Sequence, residues 1–299
     1  MKAIMKISEC YRKQKPTISF EFFPPKTEEG EKKLFQTVTD LKRLMPSFVS
    51  VTYGAMGNTQ ANTLRIVEEI KHKIGLEVAA HLTCVAHSRR EIERILTKLQ
   101  AKGIENIVAL RGDPPQGETE FIAPPDGFHY ASELVRFIRQ HPALGKAFDL
   151  SVAGYPEGHP ECRDKQKDLE HLKLKVDQGA DAVVTQLFFN NRYYFDFVER
   201  ARKIGIKVPI VPGIMPVTHG PQIEKFSRMC GAEIPSEIRE AIARFGEDQS
   251  SIVKFGIEYA TRQCEELLRG GAPGLHFYTL NQSLATRQIY ANLHLAHTA

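Results

Sequence analysis

A carboxylate interrupts an apolar run close to the start of the chain. Residues 17–26 read TISFEFFPPK, and the alternation is typical of a strand with Ile18, Phe20 and Phe22 on one face. Glu21 would lie on the opposite face, where a charged side chain is rarely buried without a partner or a task. A carboxyl group in that place could serve as a general acid or base, or it could be a solvated carboxylate at a strand end.

Polar or aromatic-polar side chains end most of the other apolar runs in the same way. These positions are Glu21, Tyr53, His81, Arg111, Gly112, Asp113, Tyr155, Gln186 and Tyr278. One polar strand end is weak evidence, but the same ending on most strands indicates one shared cavity. Taken alone, His81 could be a hydrogen-bonded core histidine, and Arg111 and Asp113 could pair across a tight turn. Tyr155 and Tyr278 could be packing aromatics with their hydroxyl groups at the rim.

The elements that would position these side chains are short apolar runs that alternate with amphipathic helical stretches. The strand candidates are residues 17–23, 48–53, 77–83, 106–112, 149–155, 181–189, 208–214 and 275–280. Ser88 begins a capping box, SRRE, and Gly179 suits the C-cap of the helical stretch KDLEHLKLKVDQGA. Strands that alternate with helices in this number predict an α/β fold, the (β/α)8 TIM barrel, with its site at the C-terminal ends of the strands. A doubly wound open sheet is the alternative.

The whole chain, residues 1–299, is expected to form one domain, because no low-complexity linker divides it. Residues 1–16 would form a short N-terminal extension. Helical material at about residues 235–270 would decorate the last βα unit.

Composition excludes several classes of protein. The content of 42% hydrophobic and 25% charged residues is typical of a soluble globular domain, and a formal charge of +4 without basic runs argues against nucleic acid as a partner. Five scattered cysteines without a CxxC pair favour a reducing cytoplasm. The sequence also lacks an apolar signal core and any stretch of membrane-spanning length, so we expect a cytoplasmic protein without a membrane partner.

Common ligand and catalytic motifs are also absent from the sequence. There is no GxGxxG after a strand, no GxxxxGK[ST], no HExxH and no GxSxG. The segment PEGHPEC, residues 156–162, holds four side chains that bind metals in other proteins. Their spacing fits no common zinc pattern, so no metal site is expected.

Eight phrases together resemble one known family. FEFFPPK, FVSVTYGA, HLTC, IVALRGD, YPEGHPE, TQLFF, PGIMPV and HFYTLN occur in order between about residues 17 and 282. This series resembles the methylenetetrahydrofolate reductase family in its bacterial single-domain form. The resemblance implies a barrel that holds FAD without a Rossmann motif and is commonly a homo-oligomer. It also implies ping-pong reduction of 5,10-methylenetetrahydrofolate to 5-methyltetrahydrofolate by NADH or NADPH, which feeds methionine synthesis.

The resemblance also implies roles for individual residues. Glu21 matches the general acid that protonates N10 as the methylene bridge of the folate opens, and Asp113 matches the catalytic aspartate beside the flavin and the pterin. An aromatic surrounding of Phe20, Phe22 and Phe23 is expected to raise the pKa of Glu21. The positions that match flavin contacts are Thr52, Tyr53, Ala55, His81, Arg111, Gly112, Asp113, Tyr130, Ala131, Tyr155, His159, Asp168, His171 and Lys175. The positions assigned to substrate binding are Asp113, Gln186, Gln222, Phe226, Tyr278 and Gln282.

Two residues depart from the family pattern. Leu174 stands where some members carry an arginine near the FAD phosphates, and Gln282 stands where an arginine commonly meets the glutamate tail of the folate. Alternative functions are another flavin barrel oxidoreductase similar to proline dehydrogenase, and a cofactor-free pterin- or folate-handling barrel enzyme that uses Glu21 and Asp113 as acid and base. A folate- or flavin-binding barrel without turnover is the non-enzymatic alternative.

Overall fold

The computed structural model describes residues 6–12, 16–53, 57–114 and 121–295. Its strands are β1 (Thr17–Phe22), β2 (Phe48–Val51), β3 (Val78–Thr83), β4 (Asn106–Leu110), β5 (Asp149–Gly154), β6 (Ala182–Leu187), β7 (Ile210–Ile214) and β8 (Gly274–Tyr278). Each strand pairs in parallel with the next, and β8 pairs with β1 to close the barrel. The predicted (β/α)8 barrel is therefore confirmed, and the open-sheet alternative is wrong.

Helices follow the strands around the outside of the barrel. They are α1 (Ile7–Cys10), α2 (Glu28–Lys42), α3 (Gly57–Glu69), α4 (Arg89–Ala101), α5 (Ala131–Gln140), α6 (Lys165–Asp177), α7 (Asn191–Lys203), α8 (Gly220–Cys230), α9 (Ser236–Phe245), α10 (Gln249–Arg269) and α11 (Leu284–Asn292). The predicted capping box opens α4, since Ser88 Oγ accepts from Glu91 N and Glu91 Oε2 accepts from Ser88 N. Gly179 follows α6 with φ of 111°, a left-handed value that favours glycine. None of the helices in the described ranges is long and apolar enough to cross a membrane.

Side chains alternate across the barrel wall, as the period of a strand requires. Phe20 and Phe22 of β1 are fully buried and pack outward in the same hydrophobic cluster as Leu34 and Val38 of α2. Glu21, between them, therefore points into the barrel. This outer layer between strands and helices is the main hydrophobic core.

The short helix α1 closes the N-terminal end of the barrel. Ile7 N donates to Asn106 Oδ1 at 3.0 Å, and Ser8 N donates to Asp149 Oδ2 at 2.5 Å, so strand-start side chains bind the helix backbone. Ile7 and Tyr11 pack with Phe48 in a second buried cluster. Because this end is packed with apolar side chains, polar chemistry inside the barrel is left to the other end.

Three helices, α8, α9 and α10, lie between β7 and β8. Helix α10 packs against β7, α7 and α11, so it takes the place of the seventh barrel helix. Helices α8 and α9 are an insertion with its own core, in which Met215, Ile223 and Ile238 are buried together. The insertion holds α8 beyond the C-terminal end of β7.

Candidate active site

The Glu21 carboxylate lies at the C-terminal end of β1, inside the barrel. Its Oε2 atom is 3.1 Å from His81 Nε2 of β3 and 3.3 Å from His276 Nε2 of β8. Ser50 Oγ of β2 donates to the same oxygen at 3.3 Å. The strand register explains the meeting, because Ser50 is paired level with Glu21, and His276 lies two residues before the level partner Tyr278. Three strands thus direct polar groups at one carboxylate oxygen.

The His276 ring is held on both sides. Its Nδ1 atom is 2.8 Å from Ser19 Oγ, and the Phe48 ring stacks on it at 20° with centroids 6.1 Å apart. His81 is different: its buried Nε2 atom makes no aligned hydrogen bond, so the 3.1 Å approach to Glu21 is an electrostatic contact. His276 therefore makes the aligned hydrogen bond to Glu21, and His81 lies against the same oxygen.

The surroundings of Glu21 differ from the aromatic cage expected from the sequence. Burial raises the pKa of Glu21, but the imidazoles of His81 and His276 outweigh burial and hold the pKa well below its usual range. Phe20 and Phe22 face the helices, and Phe23 is 43% exposed. The expectation of a raised pKa is wrong, because neighbouring residues of a strand point to opposite faces.

Tyr278 of β8 is paired level with Glu21, and its side chain reaches past β7 to β6. Its hydroxyl group donates to Thr185 O of β6 at 2.6 Å. Gly213 of β7 makes room for the ring, since a Cβ there would lie 2.6 Å from Tyr278 Cε2 and 2.3 Å from Thr185 O. Burial raises the pKa of Tyr278 well above its usual value, with the Glu21 charge adding to it, so the hydroxyl group keeps its proton.

The end of β4 carries a cation and an anion that do not pair with each other. Arg111 binds Glu161 through two hydrogen bonds of 2.6 Å, so the pairing of Arg111 with Asp113 across the turn is not formed. Asp113 is exposed at the mouth of the barrel. Gly112 between them has φ of 86°, and a Cβ there would come within 2.8 Å of Val85 Cγ1. Only glycine fits this turn.

Lys175 reaches the mouth from α6. Its ammonium group donates to Ala153 O at the end of β5 at 2.6 Å. Burial lowers the pKa of Lys175 to about 8, although the Asp168 carboxylate acts in the opposite direction. Asp168 accepts from His159 N at 3.2 Å, and His159 Nδ1 accepts from Glu161 N at 3.1 Å. The neutral His159 ring therefore carries its hydrogen on Nε2.

The other predicted flavin positions within the described residues lie at the same end of the barrel. Thr52 and Tyr53 follow β2, and the Tyr53 hydroxyl group lies 2.8 Å from Nε2 of His87, a residue that the sequence did not single out. Burial raises the pKa of Tyr53 and lowers that of His87, which favours their neutral forms. Ala55 lies outside the described residues.

Helix α5 presents its N-terminus to this end of the barrel. Tyr130 is exposed, and Ala131 is the first helical residue. No side chain caps the helix there, which leaves first-turn N–H groups for an anion. His171 of α6 is exposed on the same helix as Lys175. Tyr155 follows β5, and its ring packs edge-on against the His159 ring with the ring centroids 4.5 Å apart.

Three of the predicted substrate residues lie on β6 and α8, two elements that flank the mouth. Gln186 lies at an irregularity in the pairing of β6, and its Oε1 atom accepts from Leu187 N at 2.8 Å. Gln222 and Phe226 are one turn apart on α8, with Cys230 a further turn along. Burial raises the pKa of Cys230 to about 11 with the Asp113 charge adding to it. This face of α8 therefore looks over the mouth.

The two departures from the family pattern are both at the surface. Leu174 of α6 is 46% exposed. Gln282 is exposed after β8, and its backbone N–H donates to Thr279 O at 2.9 Å. Neither side chain contacts the carboxylate cluster around Glu21.

Three residues of the cluster around Glu21 were not predicted from the sequence. His276 is two residues before Tyr278, and Ser19 is two residues before Glu21, so each pair shares a strand face. That spacing was a usable signal. Ser50 carried no such signal, because its approach to Glu21 depends on the register between β1 and β2.

Within the described ranges, no group of three or more His, Cys, Asp or Glu side chains is placed to hold a metal ion. The acidic residues of the PEGHPEC segment have other partners. Glu157 Oε2 accepts from Glu233 N at 3.0 Å, and Glu161 binds Arg111.

One side of the mouth carries hydrogen-bond donors of the kind that could hold the pyrophosphate of a dinucleotide cofactor. Lys175 supplies an ammonium group whose hydrogen bond is to a carbonyl rather than to a carboxylate. The uncapped start of α5 and the His159 Nε2–H add donors beside it. Gly112 lets the β4 turn lie close against the end of β3. These donors are the kind that bind a pyrophosphate.

The fold and the site together define a (β/α)8 barrel with a carboxylate–imidazole cluster inside its C-terminal mouth and hydrogen-bond donors along one side of that mouth. A family model described as methylenetetrahydrofolate reductase matches residues 6–294. The chain belongs to this family.

Individual relatives agree with this assignment. The chain is 41% identical over 266 residues to the 5,10-methylenetetrahydrofolate reductase of Escherichia coli, covering 89% of this chain and 86% of that protein. It is 38% identical over 304 residues to methylenetetrahydrofolate reductase (NADH) 1 of Arabidopsis thaliana, covering 99% of this chain and 51% of that protein. This chain therefore spans about half the length of the plant relatives that it matches.

A solved structure has a similar fold. It is a Clostridium thermocellum protein that binds two copies of 5-methyl-5,6,7,8-tetrahydrofolic acid. The likeness covers 97% of this chain and 98% of that one, with a TM-score of 0.64 and 15% sequence identity. At that identity the likeness concerns the fold alone.

Proposed function

We propose that this protein reduces 5,10-methylenetetrahydrofolate to 5-methyltetrahydrofolate, with NADH or NADPH as the reductant and FAD as the cofactor. Family membership supports the reaction. The observation that carries the proposal is the Glu21 carboxylate inside the barrel mouth, with His81 and His276 within 3.3 Å of one oxygen. The methylene bridge can open only if the departing amine gains a proton, and this cluster holds groups that can supply it.

FAD, when bound, would supply the hydride transfer between the nicotinamide and the folate. Lys175, the start of α5 and His159 would bind its pyrophosphate. Arg111 is already engaged by Glu161, so Lys175 is the cation with the greater capacity for that charge. Asp113 is exposed at the mouth, where its carboxylate can accept paired hydrogen bonds from the donor edge of a pterin.

Glu21 acts as a proton donor together with His276. The low pKa of Glu21 keeps the carboxylate ionised while the imidazoles face it, so the proton for N10 must come through the cluster. His276 Nε2 hydrogen-bonds to Glu21 Oε2, and Ser19 holds the opposite ring nitrogen. When the His276 ring carries a proton on both nitrogens, the Nε2 proton can pass to Glu21 Oε2 and from there to the N10 amine, which leaves a neutral ring with its hydrogen on Nδ1, facing Ser19 Oγ. Folate that covers the mouth also excludes water, which favours the protonated carboxyl.

Gln186, Gln222 and Phe226 flank the space in which the folate would lie. Gln186 uses its oxygen on Leu187 N, so its NH2 group is the part left to meet a ligand. Phe226 packs partly against the core of the insertion and lies on the face of α8 that looks over the mouth. An aromatic side chain there can stack on a pterin or a nicotinamide.

Anaerobic mixing of the FAD-loaded protein tests the proposal. NADH should bleach the flavin absorbance, and later addition of 5,10-methylenetetrahydrofolate should restore it with formation of 5-methyltetrahydrofolate. A protein that takes up no flavin would contradict the proposal. So would a reduced flavin that the folate does not reoxidise, or a flavin that proline reduces and NADH does not.

A further inference from the structure

The loop after β8 turns back over the end of β1. Thr279 Oγ1 donates to Glu21 O at 2.7 Å, and Thr279 N donates to the same carbonyl at 3.3 Å. Two residues later, Asn281 Nδ2 donates to Phe23 O at 2.8 Å, and Asn281 Oδ1 accepts from Phe23 N at 3.0 Å. The Asn281 carboxamide thus pairs with both backbone groups of Phe23, as the backbone of a neighbouring strand would.

The loop adopts an unfavourable backbone to make these contacts. Leu280 has φ of 50° and Asn281 has φ of 57°, both in the left-handed region. Asparagine tolerates that region better than most residues, but leucine does not. Such a conformation persists where its surroundings hold it, and it is frequent at functional sites. Here Asn281 N donates to Thr279 Oγ1 at 3.2 Å, and Thr37 Oγ1 donates to Asn281 O at 3.3 Å.

Thr279 and Asn281 anchor the segment at the end of β1 that carries Glu21. Thr279 fixes the carbonyl of Glu21, and Asn281 fixes both groups of Phe23, so the backbone is held at Glu21 and two residues further on. Pro24 and Pro25 follow and have no N–H to bond. Asn281 therefore replaces the strand pairing that β1 lacks beyond Phe22.

We propose that Asn281 is a positioning residue for Glu21. Its carboxamide holds the end of β1 so that the Glu21 carboxyl group faces His276 and His81 and the folate. The bonds to Phe23 are exposed to solvent, so they add little to global stability, but they set the direction of the chain after the acid. This inference rests on the proposed function, in which Glu21 protonates the folate.

Two variants separate the effect of the Asn281 carboxamide from the effect of its left-handed backbone conformation. Asn281→Gly keeps the left-handed backbone without strain but removes both side-chain bonds. Asn281→Asp keeps the acceptor for Phe23 N but places an oxygen against Phe23 O. Ser283→Ala, in the same loop, is the matched control, because the Ser283 side chain makes no capping bond.

Stopped-flow and hydrogen-exchange measurements on the FAD-loaded proteins test the role. In both Asn281 variants, reoxidation of the reduced flavin by methylenetetrahydrofolate should slow by roughly tenfold to a hundredfold, the loss typical of a reacting group misplaced by about 1 Å. Flavin reduction by NADH and the melting temperature should not change. Backbone exchange at Phe23 should become faster in Asn281→Gly, and Ser283→Ala should match the wild type throughout.

Either of two kinetic results would overturn the inference: a wild-type folate half-reaction in both variants, or equal losses in the two half-reactions together with a lower melting temperature. Unchanged exchange at Phe23 in Asn281→Gly would overturn it as well. Failure of the proposed function is recognised separately, because the wild-type protein itself would then not pass hydride from NADH to the folate.

Discussion

Replacing Lys175 with methionine should stabilise the flavin-free protein and weaken its binding of FAD. Burial lowers the pKa of Lys175 from 10.5 to about 8 in the folded protein. A lowering of about 2.5 corresponds to roughly 3.4 kcal/mol of unfavourable free energy for the protonated amine. Methionine loses the hydrogen bond to Ala153 O, and the amine keeps some contact with solvent. The expected gain in the free energy of unfolding at pH 7 is therefore about 1–3 kcal/mol.

The stability of the wild type and its affinity for FAD should both depend on pH. Because the folded-state pKa is lowered, the unfolded chain binds the Lys175 proton more tightly, and the stability of the wild type should rise between about pH 8 and pH 10.5. Lys175→Met should lack that rise. A pyrophosphate beside the amine favours the charged form, so the affinity of the wild type for FAD should fall as the pH rises through about 8.

Urea denaturation of the flavin-free proteins at pH 7 and at pH 9, together with FAD titrations followed by flavin fluorescence, measures both effects. Lys173→Met is the matched control, because Lys173 lies on the same helix and pairs with Asp177 at the surface. Lys173→Met should change neither the free energy of unfolding nor the affinity for FAD by much. A Lys175→Met protein less stable than the wild type at pH 7 would refute the account of the buried amine. Wild-type affinity for FAD in that variant would refute the pyrophosphate contact.

Three further changes test other groups. Burial raises the pKa of Glu157 to about 7, so wild-type stability should fall as the pH rises from about 4.5 to 7. Glu157→Gln should remove that fall and raise the free energy of unfolding at pH 8 by about 1–3 kcal/mol. Denaturation curves measured between pH 4.5 and pH 8 would contradict this if the free energy of unfolding of the variant fell with pH as steeply as that of the wild type. Asp113→Asn should raise the midpoint potential of the flavin, because a nearby negative charge is removed; an unchanged or lower potential would reject the electrostatic role. Gln282→Arg should lower the KM for methylenetetrahydrofolate by less than about tenfold, since arginine can hold a tail carboxylate through two charge-assisted bonds. An unchanged KM would reject that contact.

The barrel could be predicted because its signals are local. Alternating apolar runs, the capping box at Ser88 and the glycine stop at Gly179 each depend on neighbours in the sequence, and each was found in place. The closing of the N-terminal end by α1 could not be predicted. It depends on Asn106 and Asp149, which are far from α1 in the sequence and bind its backbone only once the barrel exists.

Part of the cluster around Glu21 could be predicted from the sequence, but its electrostatics could not. Strand ends indicated Glu21 and His81, but the register that brings Ser50 and His276 to the same oxygen is a property of strand pairing. For that reason the direction of the Glu21 pKa was predicted wrongly. The partner of Arg111 was missed for a similar reason, since Glu161 comes from the loop after a different strand.

The central claim is that Glu21 serves the folate and not the nicotinamide. Stopped-flow measurement of the two half-reactions in FAD-loaded Glu21→Gln tests it most directly. Flavin reduction by NADH should keep its wild-type rate, and reoxidation by 5,10-methylenetetrahydrofolate should slow by about 10²–10⁴-fold, the usual contribution of a general acid. Equal slowing of both half-reactions, or a wild-type rate with the folate, would contradict the claim.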